Sequence, residues 1–198
     1  MNSFLERHSE AAPPVDFAAL FGNSNPVEIE IGCGKGRFLV ARAQENPGIN
    51  FLGLDRAVKW MKKGIKNSSK QSLGNVLFLQ AEIREFLERV PGQSVSLFHI
   101  YFPDPWPKRR HHKHRFVTAE FLAALYQKLT AGGRVELATD HADYFEQMKK
   151  SAALTSSLWK SMRDVQNQRL QDPHIKTNYE LKYETEGRTL YYLEMVKE

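Results

Sequence analysis

The chain has 198 residues, of which 41% are hydrophobic, and this is enough for one domain with a substantial core. Its formal net charge of +5 and its pI of about 9.3 are modestly basic, which suits a nucleic acid or another anionic partner without establishing one. The single cysteine, Cys33, excludes an internal disulfide, and neither a signal peptide nor an apolar run of about 18 residues is present, so we expect a cytoplasmic protein.

Strands and helices alternate along the chain from residue 27 to about residue 150. Short apolar or alternating runs that end at turn residues predict strands at 27–31, 51–54, 76–79, 95–100, 134–138 and 190–196. Helical periodicity predicts helices at 37–44 and 58–66, and further helices whose apolar faces include Phe86, Leu87 and Val90, then Phe121, Leu122, Leu125 and Leu129, then Phe145, Met148 and Ala152. The segment 155–175 has no pattern that places it.

This order of elements predicts the fold class. It indicates an α/β, Rossmann-like domain with a mostly parallel, doubly wound sheet that is covered by helices on both faces. The last strand lacks a clear preceding helix, so we expect it to return antiparallel at an edge. We expect one domain over residues 1–198, with residues 1–12 as a loose N-terminal arm.

A glycine-rich loop follows the first predicted strand and precedes a helix. Glycines at 32, 34 and 36 would let the backbone approach a ligand closely. The spacing is G-x-G-x-G, because Arg37 stands where a dinucleotide fingerprint has its last glycine. An acid, Glu30, lies two residues before the first glycine. The loop favours a nucleotide-like cofactor, although many glycine turns bind none.

Acidic residues follow the next three predicted strands, namely Asp55, Glu82 and Asp104. Because the carboxyl ends of parallel strands meet at one crevice, we expect these side chains to converge there. Several carboxylates would repel a pyrophosphate but suit a cationic cofactor without phosphate, and S-adenosylmethionine fits that description. The alternative is that these acids cap helices, especially Glu82.

A loop with three prolines, 102–108, follows the fourth predicted strand and continues into a basic run at 109–115. The prolines predict a stiff, extended loop that presents Asp104 and Trp106. Trp106 would either stack on a base or anchor the loop against the core. The basic run is typical of phosphate binding. Its histidines have no cysteine or suitably spaced acid nearby, so no metal site is expected.

The segments 30–38, 102–108, 138–140 and 177–180 together resemble the bacterial tRNA (guanine-N7-)-methyltransferase family. The resemblance runs from about Phe17 to the C-terminus. The glycine loop is shared by many methyltransferases, whereas the proline–tryptophan loop combined with the late Thr-x-Tyr-Glu element is far more specific.

The resemblance implies an enzyme that transfers a methyl group from S-adenosyl-L-methionine to N7 of a guanosine in tRNA, the variable-loop guanosine at tRNA position 46. It implies Asp104 as the catalytic residue. The implied cofactor contacts are Glu30, Gly32, Gly34, Asp55, Glu82 and Asp104. The implied substrate-binding residues are Lys108, Asp140, Thr177, Asn178, Tyr179 and Glu180. The implied tRNA phosphate contacts are Arg110, His111, Lys113 and Arg115.

The chemistry agrees with this reading, since guanine N7 is an unprotonated acceptor and needs no general base. Three alternatives stay open: a methyltransferase acting on another RNA or on protein, a nicotinamide-dependent oxidoreductase, and an RNA-binding module without activity. Neither a membrane nor a metal is an expected partner, and the protein could be a monomer or a homodimer.

Overall fold

The computed structural model describes residues 4–5, 13–169 and 172–198. Its strands are β1 (Phe4–Leu5), β2 (Val27–Ile31), β3 (Asn50–Asp55), β4 (Val76–Gln80), β5 (Val95–Tyr101), β6 (Leu129–Thr139), β7 (Trp159–Gln166) and β8 (Tyr191–Lys197). Its α-helices are α1 (Phe17–Phe21), α2 (Arg37–Glu45), α3 (Val58–Lys70), α4 (Ile83–Arg89), α5 (Ala119–Lys128), α6 (Ala142–Leu154) and α7 (Asn178–Thr185). Two 3₁₀ helices cover Arg109–His114 and Ser156–Leu158.

The strands of the described residues form one sheet in the order β1-β4-β3-β2-β5-β6-β8-β7. Neighbouring strands from β1 to β6 run parallel, whereas β8 is antiparallel to both β6 and β7. The chain moves outward from β2 to β4 and then returns to β5 on the other side of β2. In such sheets a ligand binds beyond the carboxyl ends of the strands where the order reverses. The glycine loop after β2 lies at that point.

The expected fold class is confirmed, including the antiparallel strand at the C-terminus. The position at the edge is taken by β7, however, and β8 lies one strand further in. β7 comes from the unplaced segment 155–175. Only its first residue, Trp159, is buried, so the strand lacks the apolar alternation that predicts strands. The arm expected at 1–12 lies outside the described residues, apart from Phe4–Leu5, which pair with β4.

Helices cover both faces of the sheet. On one face α2 and α3 pack over Phe51 and Phe78, and on the other α4, α5 and α6 cover a larger core that includes Phe98. Parallel strands covered on both faces are buried almost throughout, and all five residues of β2 are buried. Since successive side chains point to opposite faces, Glu28 and Glu30 share the face toward α2. Two carboxyl groups are therefore buried on this face, and that of Glu30 is the nearer one to the glycine loop.

Candidate active site

The glycine loop has two glycines that face open space and one that is required for packing. Gly32 and Gly34 have φ of +79° and +51°, and a Cβ at either position would meet no atom within 4 Å. At Gly36, with φ of +64°, a Cβ would lie 2.6 Å from Cε1 of Phe78 and 3.1 Å from the Cα of Gly64 in α3. The first two glycines therefore leave room beside the loop, while the third lets α2 and α3 approach the sheet.

Asp55, the last residue of β3, holds the glycine loop in shape. Its Oδ2 accepts a hydrogen bond from the backbone N–H of Gly34 at 3.0 Å, and its Oδ1 accepts one from the backbone N–H of Ala57 at 2.8 Å. Each carboxylate oxygen has a second lone pair for a further donor. Asp55 is therefore both a support of the loop and an acceptor beside it.

Glu82 is the N-cap of α4. Its Oε2 accepts hydrogen bonds from the backbone N–H groups of Arg84 at 2.8 Å and Glu85 at 3.3 Å. The capping role left open by the sequence is thus present in the structure. It keeps this carboxylate at the carboxyl end of β4, on the same edge as Asp55.

Glu30 carries the most perturbed carboxyl group of the crevice. Its side chain is buried, and Oε2 has no hydrogen-bond partner among the described residues. Burial raises the pKa of Glu30 to about 8, and the nearby charges of His99 and Arg169 only partly oppose this. An acid with an unpaired oxygen next to the glycine loop is suited to a cationic ligand, because ionisation of the carboxyl group becomes favourable when a positive charge arrives.

Glu28 belongs to a separate buried network. Nη2 of Arg42 donates to both of its carboxylate oxygens at 2.8 Å, and Nε2 of His99 lies 2.8 Å from its Oε2. Nδ1 of His99 lies 2.8 Å from the hydroxyl of Tyr101, which donates to Glu136. Burial alone would lower the pKa of His99, but the nearby carboxylates of Glu136 and Glu28 outweigh burial and raise this pKa. The network fixes β2, β5 and β6 to one another behind the crevice.

The sequence patterns above assign no role to Glu28, Arg42, His99, Tyr101 or Glu136. The available signal was the presence of charged residues inside strands predicted to be buried, since such groups are normally paired. The identity of their partners could not be read from the sequence, because Glu28 and His99 are 71 positions apart.

The proline loop contains two residues in the left-handed region, Phe102 with φ of +52° and Trp106 with φ of +44°. The expectation of an extended loop is therefore wrong at both Phe102 and Trp106, although each precedes a proline, which favours extended backbone. Such conformations cost about 1–3 kcal/mol each and persist only where their surroundings hold them. At Phe102 the backbone is restrained by a hydrogen bond from its N–H to the Ala138 carbonyl at 2.7 Å.

Arg115 is a second restraint on the loop, and it is buried. Its Nε donates to the Pro105 carbonyl at 2.8 Å, and its Nη1 and Nη2 donate to Gln147 and Asp143 in α6 at 2.9 and 2.7 Å. The guanidinium also lies 4.8 Å from the centroid of the Tyr144 ring. The expectation that Arg115 contacts phosphate does not fit this placement, because its donors are used to fix the loop onto α6.

The remaining basic run forms the 3₁₀ helix Arg109–His114, in which Arg110 and Lys113 are exposed and His111 is half-buried. The Trp106 ring contacts His111 and His114, with centroids 6.0 and 5.0 Å apart, and is itself 37% exposed. Trp106 thus packs on the basic helix rather than on the core. Lys108 is exposed before this helix.

Asp104 lies exposed at the centre of the loop, and no hydrogen bond or ion pair within the described residues involves it. Its neighbours Pro103 and Pro105 restrict the backbone on both sides. This carboxylate is therefore held by its backbone while its oxygens remain available to a ligand.

The late Thr-x-Tyr-Glu element forms the start of α7 through a capping box. Thr177 Oγ1 accepts from the Glu180 N–H at 3.0 Å, and Glu180 Oε2 accepts from the Thr177 N–H at 2.7 Å. Glu180 is buried and also pairs with Arg169, whose guanidinium lies over the Tyr101 ring at 4.2 Å. Thr177 and Glu180 therefore hold the helix in place from inside.

Two other members of this element face outward. Asn178 is exposed, and Tyr179 is 52% exposed, with its ring stacked on Tyr183 at 5.7 Å and tilted against Phe102 at 6.2 Å. The start of α7 is thus next to the base of the proline loop. Asp140, after β6, accepts a hydrogen bond from Arg188 at 2.7 Å.

Comparison with known proteins identifies the family. A family model described as "Putative methyltransferase" matches residues 24–193. The tRNA (guanine-N(7)-)-methyltransferase of Geobacter metallireducens is 35% identical over 192 residues, which cover 96% of this chain and 90% of that protein. The chain belongs to the tRNA (guanine-N(7)-)-methyltransferase family. The enzyme of that name from Roseobacter denitrificans is 34% identical over 185 residues, covering 93% of this chain and 79% of that protein.

Solved structures share the fold with this family member. The 16S rRNA methyltransferase KamB superposes with a TM-score of 0.65 at 19% identity, covering 92% of this chain and 93% of that chain. A 16S rRNA (adenine(1408)-N(1))-methyltransferase from Catenulisporales acidiphilia, crystallised with its cosubstrate S-adenosylmethionine, superposes with a TM-score of 0.61 at 16% identity, covering 91% and 89%. These structures show the fold, whereas the two sequence relatives confirm the family resemblance of the sequence motifs.

The described residues provide neither a metal-binding cluster nor a membrane-spanning helix. They contain no group of three or more His, Cys, Asp or Glu side chains close enough to hold a metal ion. None of their helices is long and apolar enough to cross a bilayer.

Proposed function

We propose that the protein transfers a methyl group from S-adenosyl-L-methionine to N7 of a guanosine in tRNA. The observation that carries this proposal is membership of the tRNA (guanine-N(7)-)-methyltransferase family, with 35% identity over 96% of the chain. We further propose the variable-loop guanosine as the target, by the resemblance of the loop and α7 motifs to the family. A tRNA substrate and a single, buried cysteine support the cytoplasmic location expected from the sequence.

The residues of the crevice fit S-adenosyl-L-methionine by their chemistry. The crevice offers carboxylates and backbone groups, and the proposed cofactor contacts are Glu30, Gly32, Gly34, Asp55, Glu82 and Asp104. The unpaired Oε2 of the buried Glu30 suits an ammonium group, and Asp55 suits ribose hydroxyls. When bound, this cofactor supplies an electrophilic methyl group on a positively charged sulfur.

The chain's own contribution to the reaction is positioning and electrostatic stabilisation. Guanine N7 carries a lone pair and no proton, so no general base is required. Holding that atom in line with the methyl group can supply up to roughly 7–11 kcal/mol of the barrier reduction. The purine ring gains positive charge as the new bond forms. The exposed, unpaired carboxylate of Asp104 either stabilises this charge or accepts a hydrogen bond from the guanine N–H edge.

The substrate residues divide into two groups by their surroundings. Asn178 and Tyr179 are exposed at the start of α7 and are proposed to contact the nucleotide directly, with Tyr179 offering an aromatic face. Thr177 and Glu180 are buried in the capping box and are proposed to hold that helix start in place. Lys108 and Asp140 complete the proposed substrate-binding residues.

The tRNA backbone is proposed to contact the 3₁₀ helix after the proline loop. Arg110, His111 and Lys113 provide cationic or hydrogen-bonding groups there, while Arg115 keeps the loop fixed to α6. The major groove of an RNA duplex is too deep and narrow for side chains, so the target guanosine should lie in a loop or be unstacked.

The proposal is tested by incubating the protein and labelled S-adenosylmethionine with tRNA, ribosomal RNA and a protein extract in parallel. Nucleosides from each RNA are then separated and identified by mass spectrometry. We expect label in the tRNA sample alone, as 7-methylguanosine. Label in ribosomal RNA or protein, or in another tRNA nucleoside, would contradict the proposal.

A further inference from the structure

The outer face of α3 is strongly cationic. Five of its thirteen residues are lysines, all of them exposed, and the helix contains no acidic residue. We call this surface the α3 basic face; it consists of Lys59, Lys62, Lys63, Lys66 and Lys70. No ion pair within the described part of the chain involves any of these lysines.

The five lysines form a single stripe. At 3.6 residues per turn their positions fall within an arc of about 100°, opposite the buried residues Met61, Gly64 and Ser68. From Lys59 to Lys70 the stripe is about 16 Å long at a rise of 1.5 Å per residue. Like charges at i and i+4, as at Lys62 and Lys66, destabilise a helix. A stripe with several such pairs and no compensating acid is therefore more than an ordinary solvated surface.

An exposed aromatic ring stands at the start of this stripe. Trp60 is 48% exposed, and the ammonium groups of Lys59 and Lys35 lie 4.9 and 6.0 Å from its ring centroid. Single-stranded RNA is bound by this combination of aromatic stacking surface and cations. Lys35 belongs to the glycine loop, so the surface begins at the edge of the cofactor crevice.

The position of α3 places this surface across the crevice from the other basic segment. α3 follows β3, whereas the 3₁₀ helix Arg109–His114 follows β5, and β2 with the glycine loop lies between them. Cationic surfaces thus flank the crevice on both sides. A large polyanion with one nucleotide in the crevice would meet both.

We propose that the α3 basic face is a second tRNA-binding surface, with its lysines on backbone phosphates and Trp60 stacked on an unpaired base. This inference rests on the proposed function, because it takes the polyanion to be the tRNA whose guanosine is methylated. It assigns to α3 a share of tRNA affinity and none of the methyl transfer itself.

The test compares two triple variants with the same loss of charge. The first, Lys62→Gln/Lys63→Gln/Lys66→Gln, removes the centre of the face. The control, Lys149→Gln/Lys150→Gln/Lys160→Gln, removes three lysines from α6 and β7. Binding of fluorescein-labelled tRNA is measured by anisotropy at several salt concentrations.

We expect the α3 variant to bind tRNA at least tenfold more weakly, with a salt slope shallower by about 2–3, since each phosphate contact contributes about 0.7–0.9 to that slope. The control should change the Kd less than threefold. At saturating tRNA the kcat of the α3 variant should match wild type while its KM rises. Equal effects of both triple variants on the Kd for tRNA would overturn the proposal. It would also be overturned if the α3 variant kept its affinity for tRNA but lost binding to phosphatidylserine vesicles, because the face would then be a membrane-binding surface.

Trp60 is tested separately, because stacking is largely insensitive to salt. Trp60→Ala should weaken tRNA binding about fivefold to tenfold without changing the salt slope, and Trp60→Phe should restore part of the loss. Wild-type affinity in Trp60→Ala would refute the stacking contact. In parallel, the wild-type protein is assayed for formation of 7-methylguanosine in the same tRNA. Absence of that product would count against the proposed function, whereas normal product with unaffected variants would count against the α3 surface alone.

Discussion

Replacement of Glu30 by glutamine should stabilise the protein at alkaline pH. The carboxyl group is 4% exposed, and burial raises its pKa to about 8 from an ordinary value of 4.5. Between these pH values the folded state keeps a proton that the unfolded state has lost, so the free energy of unfolding falls as pH rises. At 1.36 kcal/mol per pKa unit the decrease is at most about 5 kcal/mol, and local relaxation should reduce it to about 2–4 kcal/mol.

Urea denaturation of wild type, Glu30→Gln and a control Glu88→Gln at several values between pH 5 and pH 8.5 measures this directly. Glu88 is exposed on α4, so its replacement should leave the pH dependence unchanged. The Glu30→Gln curve should match wild type near pH 5 and lie above it by about 2–4 kcal/mol at pH 8. Parallel curves at all pH values would refute the assignment of a neutral, buried Glu30.

The same variant should bind S-adenosylmethionine more weakly, although it is more stable. At pH 7 a group with a pKa of about 8 is about nine-tenths protonated, so a cationic ligand that ionises Glu30 should release nearly one proton. Calorimetric titrations in two buffers with different ionisation enthalpies measure that release. Wild type should release about one proton and Glu30→Gln none; equal heats for wild type in both buffers would contradict a cofactor contact at Glu30.

Three further predictions concern the reaction, the support of the proline loop and the packing of the glycine loop. Asp104→Asn should lower kcat by about a hundredfold or more while the affinity for S-adenosylhomocysteine, measured calorimetrically, changes less than threefold; equal losses of both would contradict a role in the reaction. Arg115→Met should lower the free energy of unfolding, measured in urea, by about 2–4 kcal/mol. Arg115→Lys should be nearly as destabilised, since lysine lacks the planar set of donors. Wild-type stability of Arg115→Lys would refute the role of Arg115 in fixing the loop to α6. Gly36→Ala should cost at least about 2 kcal/mol more than Gly34→Ala by the same measurement, because only the former meets Phe78, and equal costs would contradict the packing argument.

Features that depend on neighbouring residues could be predicted from the sequence. The apolar runs of β3, β4 and β5 predict these strands, because burial on both faces leaves a continuous local signal. β2 is predicted by its alternation, and the glycine loop by its spacing. The capping of α4 by Glu82 was likewise among the alternatives, since it involves the next three residues only.

Features that depend on distant partners could not be predicted in this way. Arg115 reads as one more cation of a basic run, and only the packing of α6 against the loop makes it internal. Trp106 reads as extended before a proline, yet its backbone turns to positive φ where its ring meets the 3₁₀ helix. The raised pKa of Glu30 depends on the helix and strands that bury it, although its place before the glycines was evident.

The most direct test of the central claim is chemical mapping of the methylated nucleotide. A single tRNA transcript is methylated by the wild-type protein, reduced with borohydride and cleaved with aniline, which breaks the chain at 7-methylguanosine. We predict one cleavage, at the guanosine of the variable loop, that depends on S-adenosylmethionine and forms about a hundredfold or more slowly with Asp104→Asn. Methyl incorporation without cleavage, or cleavage that persists at full rate in Asp104→Asn, would contradict it.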